Sequence, residues 1–77
     1  MITVLFFAHL QDAVGQEKVM MDKAPISIIE LKKELAALYS LPNLDNVMFA
    51  INEEYATGED LVKDGDTVAL IPPVSGG

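Results

Sequence analysis

The segment Lys63-Asp64-Gly65-Asp66-Thr67-Val68-Ala69-Leu70-Ile71-Pro72-Pro73-Val74-Ser75-Gly76-Gly77 decides how the rest of the chain is read. Lys63 to Asp66 predicts a tight turn, because Gly65 accepts the positive φ that such turns require. Thr67 to Ile71 predicts a strand, with Val68 and Leu70 on one face and Thr67, Ala69 and Ile71 on the other. The threonine marks the second face as the outer one. Pro72 forces Ile71 into extended backbone and Pro73 continues it, so the strand runs out into a stiff stalk that does not fold back.

Ser27-Ile28-Ile29-Glu30 has the form of a capping box and predicts a helix start. Ile28, Leu31, Leu35 and Leu38 then recur at helical spacing, while Lys32, Lys33 and Glu34 lie mostly outside, and Pro42 ends the helix near Ser40. Met1 to Ala8 reads as a central strand, His9 to Gly15 breaks its pattern, and Glu17 to Asp22 reads as a second strand. The Gly15-Gln16 turn allows these two to pair as an antiparallel hairpin. Val47 to Ile51 is a third strand, and Asn52-Glu53-Glu54 turns into a short edge segment around Tyr55 and Ala56. The predicted order β-β-α-β-(β)-β gives an α+β domain, a mixed sheet of four to five strands covered on one face by one main helix.

Seventy-seven residues with 51% hydrophobic content leave room for one domain and one core. Residues 1–71 are expected to form that body, and residues 72–77 an extended C-terminal diglycine tail. The absence of cysteine removes disulfides, thiolate metal sites and any persulfide or thioester held on a side chain. Met1 to Ala8 has no basic flank and is too short to span a bilayer, so no membrane association is expected and the cytoplasm is the expected location. A net charge of −7 argues against capture of nucleic acid or anionic lipid. The acid excess either keeps a small protein soluble or steers it toward a basic partner.

The outer face of the first strand carries Thr3, Leu5 and Phe7. If that strand neighbours the last one, Leu5, Phe7, Ala69 and Ile71 form an exposed apolar patch beside the tail, and such patches mark partner sites. A loop across this face, or a strand phase shifted by one residue, would hide them instead. In the tail itself, side-chain bulk falls from Val74 through Ser75 to Gly76 and Gly77. A carboxylate resists nucleophiles until its oxygen becomes a good leaving group, and glycine lets a terminus thread a narrow channel to an activating enzyme. An adenylated Gly77 could pass to an amine, forming an isopeptide, or to sulfur, forming a thiocarboxylate. The competing reading is a frayed terminus without function.

Three segments carry a family resemblance: Val4-Leu5-Phe6-Phe7-Ala8 with Gly15, then Asp64-Gly65-Asp66-Thr67-Val68-Ala69, then Pro72-Pro73-Val74-Ser75-Gly76-Gly77. With them the chain resembles the small, sulfur-carrier subunits of molybdopterin synthase, within the ubiquitin-like β-grasp group. The resemblance implies that Gly77 is adenylated by an E1-like enzyme using ATP and Mg, then converted to a thiocarboxylate by a sulfur donor protein. Residues Pro72, Pro73, Val74, Ser75 and Gly76 would carry Gly77 into the large subunit, where the sulfur attacks cyclic pyranopterin monophosphate. Two deliveries build the dithiolene. The implied complex is a heterotetramer of two small and two large subunits, with Phe7 and Ile71 packing on the partner. The implied catalytic side chains belong to the large subunit, so this chain is not an enzyme on its own. It departs from many relatives at Gln11-Asp12, where an Arg-Glu pair is usual.

Other signals point elsewhere. His9, the single histidine, has no Cys or second His near it in sequence, so no metal site is expected and a surface position is. No phosphate-binding glycine motif is present, which leaves ATP to the activating enzyme and no cofactor bound by this chain. Glu53-Glu54 and Glu59-Asp60 read as solvated acids, and Ser75 as a small spacer. Within the carrier class the rivals are the sulfur carrier of thiamine synthesis and a ubiquitin-like protein modifier. Outside it stands a β-grasp interaction module with an inert tail.

Overall fold

The computed structural model describes residues 1–41, 44 and 46–72. Its first strand, β1 (Ile2–Phe6), buries Ile2, Val4 and Phe6 and leaves Thr3 and Leu5 only partly covered, as alternation requires. The expected break after it is a short helix, α1 (His9–Val14), closed by Gly15 in left-handed geometry at φ 84°. There the Gly15 N–H donates to the Gln11 carbonyl at 2.8 Å, and Leu10 drops into the core. Residues 9–15, read from the sequence only as a break in the strand pattern, thus hold a short helix in addition to the one main helix expected. Strand β2 (Lys18–Met21) then returns antiparallel to β1, with Ile2 opposite Met21 and Leu5 opposite Lys18.

A two-residue strand, β3 (Ile26–Ser27), leads into α2 (Ile28–Tyr39). Ser27 is the N-cap, its Oγ accepting the Glu30 N–H at 3.2 Å, which is the serine half of the predicted box. The N–H groups of Ile28 and Ile29 donate instead to the carbonyls of Asp60 and Gly58, at 3.0 and 3.1 Å. Helix α2 buries Ile28, Leu31 and Leu35. Leu38 stays exposed, and Tyr39, one turn after Leu35, meets Phe6 edge to face at 6.0 Å between ring centroids.

Strands β4 (Met48–Ile51) and β5 (Glu54–Ala56) form a hairpin, β6 (Leu61–Val62) pairs with β3, and β7 (Thr67–Ile71) closes the set. The main sheet has the order β2-β1-β7-β4-β5. Strand β7 lies between β1, to which it is parallel, and β4, to which it is antiparallel. Phe6, Phe49, Val68 and Leu70 face Leu31 and Leu35 across a core in which, among the described residues, no polar side chain is buried. Each fully buried side chain of this size stabilises the fold by about 1.5–3 kcal/mol relative to an exposed one. The result is the ubiquitin-like β-grasp, a mixed sheet with its main helix on one face.

Candidate functional site

Among the described residues, the sheet face opposite α2 is left open, and the strands present their second set of side chains there. Strand register aligns them. Leu5 stands opposite Ala69, Ala69 opposite Ala50, and Ala50 opposite Tyr55, giving one straight row across β1, β7, β4 and β5. One step toward the C-terminal end of β7, Ile71 stands opposite Met48. Phe7, the residue after β1, lies beside this second row because β1 and β7 run parallel.

Side-chain size shapes this face. Ala50 and Ala69 are small and form a low floor, while Phe7, Tyr55 and Pro72 rise around it. Together with Leu5 and Ile71 they bound an open depression of about 920 Å³. Phe7 is 45% exposed and Tyr55 70% exposed, so two aromatic side chains reach solvent on a chain of modest size. Exposed aromatic surface of this kind is frequent at protein–protein interfaces.

The backbone at the rim takes unusual conformations. Ala8, which follows Phe7 and borders the depression, has φ 53° and ψ −132°, a region that favours glycine. It turns the chain from β1 into α1 just past Phe7. At the other end, Asn52 and Glu53 have φ 51° and 72° and form the two-residue turn between β4 and β5. Asn52 is tied down on three sides. Its backbone N–H donates to the Thr67 carbonyl at 2.8 Å, its amide donates to the Asp66 carboxylate at 3.0 Å, and its side-chain carbonyl accepts the Thr67 N–H at 3.0 Å. The Lys63 N–H and the Asn52 amide hold the Asp66 carboxyl below the usual carboxylate range, the Lys63 bond being the larger cause.

Of the residues expected at an interface, the structure brings Leu5, Phe7, Ala69 and Ile71 together on this face, with Pro72 at its edge. Pro73, Val74, Ser75, Gly76 and Gly77 lie outside the described residues. The sequence reading missed Ala50, Tyr55 and Met48, although alternation applied to residues 48–51 places Met48 and Ala50 on the outer side. His9 is exposed on α1, and among the described residues no three His, Cys, Asp or Glu side chains converge as metal ligands. No helix among them is long and apolar enough to cross a membrane.

Comparison with known proteins adds independent findings. The ThiS family model matches residues 4–77. A Chlamydomonas reinhardtii molybdopterin synthase sulfur carrier subunit is 39% identical, over 99% of this chain and 98% of its own length. Among solved structures, a complex of subunits 1 and 2 of molybdopterin-converting factor from Helicobacter pylori contains a chain 28% identical with a TM-score of 0.61, covering 99% of this chain and 97% of that one. Small archaeal modifier protein 1 from Methanosarcina acetivorans has a TM-score of 0.79 at 23% identity, over 99% of this chain and 95% of that one. This last likeness is one of fold.

Proposed function

The chain belongs to the ThiS family, and we propose that within it this protein is a sulfur carrier for molybdopterin synthesis, with the Gly77 carboxylate as its reactive group. The observation that carries the reading is the placement of Ile71 and Pro72: a central strand ends beside an exposed apolar face and continues into Pro73-Val74-Ser75-Gly76-Gly77. Full-length similarity to sulfur carrier subunits supports it. Residues 1–71 act as a rigid body and 72–77 as the delivery arm.

The chemistry divides between this chain and its partners. A Gly77 carboxylate oxygen attacks the α-phosphorus of ATP on an E1-like enzyme, with Mg on the nucleotide, and pyrophosphate leaves. Sulfide-level sulfur released by the sulfur donor protein then attacks the acyl-adenylate carbonyl, expelling AMP and leaving a thiocarboxylate. Carried into the large subunit, that sulfur attacks cyclic pyranopterin monophosphate, water cleaves the acyl–sulfur bond so that Gly77 returns to a carboxylate, and two deliveries complete the dithiolene. Side chains for the transfer come from the large subunit, and this chain contributes the nucleophile and its positioning. The face containing Leu5, Phe7, Ala69 and Ile71 docks on that subunit in a complex of two small and two large chains, and the reactions take place in the cytoplasm.

The deciding experiment loads the protein with its activating enzyme, ATP and a sulfur source, and fragments the intact chain in a mass spectrometer. Exchange of O for S adds about 16 Da, the same nominal change as oxidation of one methionine to its sulfoxide. With four methionines in the chain, the added mass must be located on the C-terminal fragment. Its appearance there supports sulfur carriage. A C-terminal fragment left unchanged under these conditions, or full cofactor synthesis by a chain with an alanine added after Gly77, overturns it.

A further inference from the structure

The turn at Asn52-Glu53 is built against the preference of one of its residues. Ile51 pairs with Glu54, so the loop between them has two residues, and both have positive φ. That is a type I′ geometry, in which asparagine fits the first position and glycine the second. Asn52 follows the preference. Glu53 at φ 72° does not, because its Cβ crowds the backbone in the left-handed region. A glycine there would fold with less strain, and strained positions held in place by their surroundings concentrate where another molecule is met.

The surroundings do hold it. Asn52 is fixed to Asp66 and Thr67 by the three hydrogen bonds described above, so the turn is tethered to the start of β7. Glu53 is exposed and borders the depression on the outer sheet face, next to its apolar floor. It places a carboxylate on a fixed mount at the rim of a mostly apolar surface, where Asn52 and Thr67 are the other polar residues of the lining. With a net charge of −7, the chain as a whole disfavours a second copy of itself and favours a partner of opposite sign.

We infer that Glu53 is a specificity-determining docking residue, kept in a strained turn so that its carboxylate meets a lysine or arginine bordering the apolar patch of the protein received on this face. The inference rests on the docking face described under Proposed function. It adds the sign of charge required of the partner at one end of that face. The rigid mount lowers the ordering cost of the contact, and the charge contributes to encounter rate and to rejection of partners carrying an acid there.

The test uses the full chain and the molybdopterin synthase large subunit of the same organism, with binding measured at low and at high salt. Glu53→Gln keeps the side-chain shape and removes the charge. It is expected to weaken binding at low salt about three- to tenfold and to flatten the salt dependence. Glu53→Gly is expected to weaken binding similarly while raising the melting midpoint by a few degrees. Leu5→Glu, in the lining of the same depression, is the control for docking itself. Lost binding with Leu5→Glu but unchanged binding and salt dependence with Glu53→Gln overturns the assignment to Glu53 alone. Unchanged binding in both overturns the docking face, and a Glu53→Gly protein that melts no higher than the parent overturns the strain argument.

Discussion

Gly58 sits beneath Ile29 so closely that a Cβ on the glycine would stand 2.7 Å from Ile29 Cγ1 and 3.0 Å from its Cδ1. The same glycine's carbonyl accepts the Ile29 N–H at 3.1 Å, so loop and helix start are joined twice at one point. Glycine is needed here for close approach.

Gly58→Ala is expected to destabilise the fold by about 1–2 kcal/mol, at the lower part of the overpacking range because Ile29 is half exposed and can yield. Combining it with Ile29→Ala should recover much of that loss. Urea titration of both single variants and the double variant checks this through a coupling energy, and strict additivity would refute the contact.

Removing the Ser27 hydroxyl leaves the Glu30 N–H without its acceptor. Ser27→Ala should cost about 1 kcal/mol, and Ser27→Gly only a few tenths beyond its backbone effect. Thermal melting followed by far-ultraviolet circular dichroism measures the difference. Equal stability of Ser27→Ala and the parent would show that the Asp60 and Gly58 carbonyls suffice as caps.

Asp66 links folding to pH. Its folded pKa lies below the unfolded value, so its contribution is fully present above about pH 4 and disappears as pH falls through the folded value. Asp66→Asn should therefore show a smaller fall in melting midpoint than the parent between about pH 4 and pH 2. Parallel midpoint-against-pH curves for the two proteins would contradict this.

Docking should depend on the outer face while folding does not. Phe7→Ala is expected to reduce affinity for the large subunit by about 10- to 100-fold, within the range for aromatic anchors, with little change in melting because Phe7 is 45% exposed. Calorimetric titration measures this. Undiminished affinity would move the interface to another surface.

Legibility in the sequence followed the physics of each element. Strand β7 was read at its observed bounds because a glycine turn and two prolines bracket five alternating residues. The start of α2 was legible because Ser27 caps through its own side chain. Helix α1 was not, since its N-cap is Ala8, which offers no side-chain acceptor, and six residues show no full apolar period. The pairing of Ile26–Ser27 with Leu61–Val62 was equally silent, being too short for alternation. Leu38 looked like a core position by spacing, but Tyr39 lies nearer the centre of the buried stripe and takes the contact with Phe6. At the candidate site, Leu5, Phe7, Ala69 and Ile71 followed from alternation together with the condition, met in the structure, that β1 and β7 are neighbours. Tyr55 and Glu53 needed the cross-strand register that only folding sets.

The place of β7 inside the sheet has a mechanical consequence. Tension applied at Pro72 along the strand loads the β1 and β4 ladders together and in shear, so the hydrogen bonds on both flanks must yield at once. An edge strand would peel away one bond at a time. A machine that tugs on this end therefore hauls the whole body toward itself instead of unravelling it.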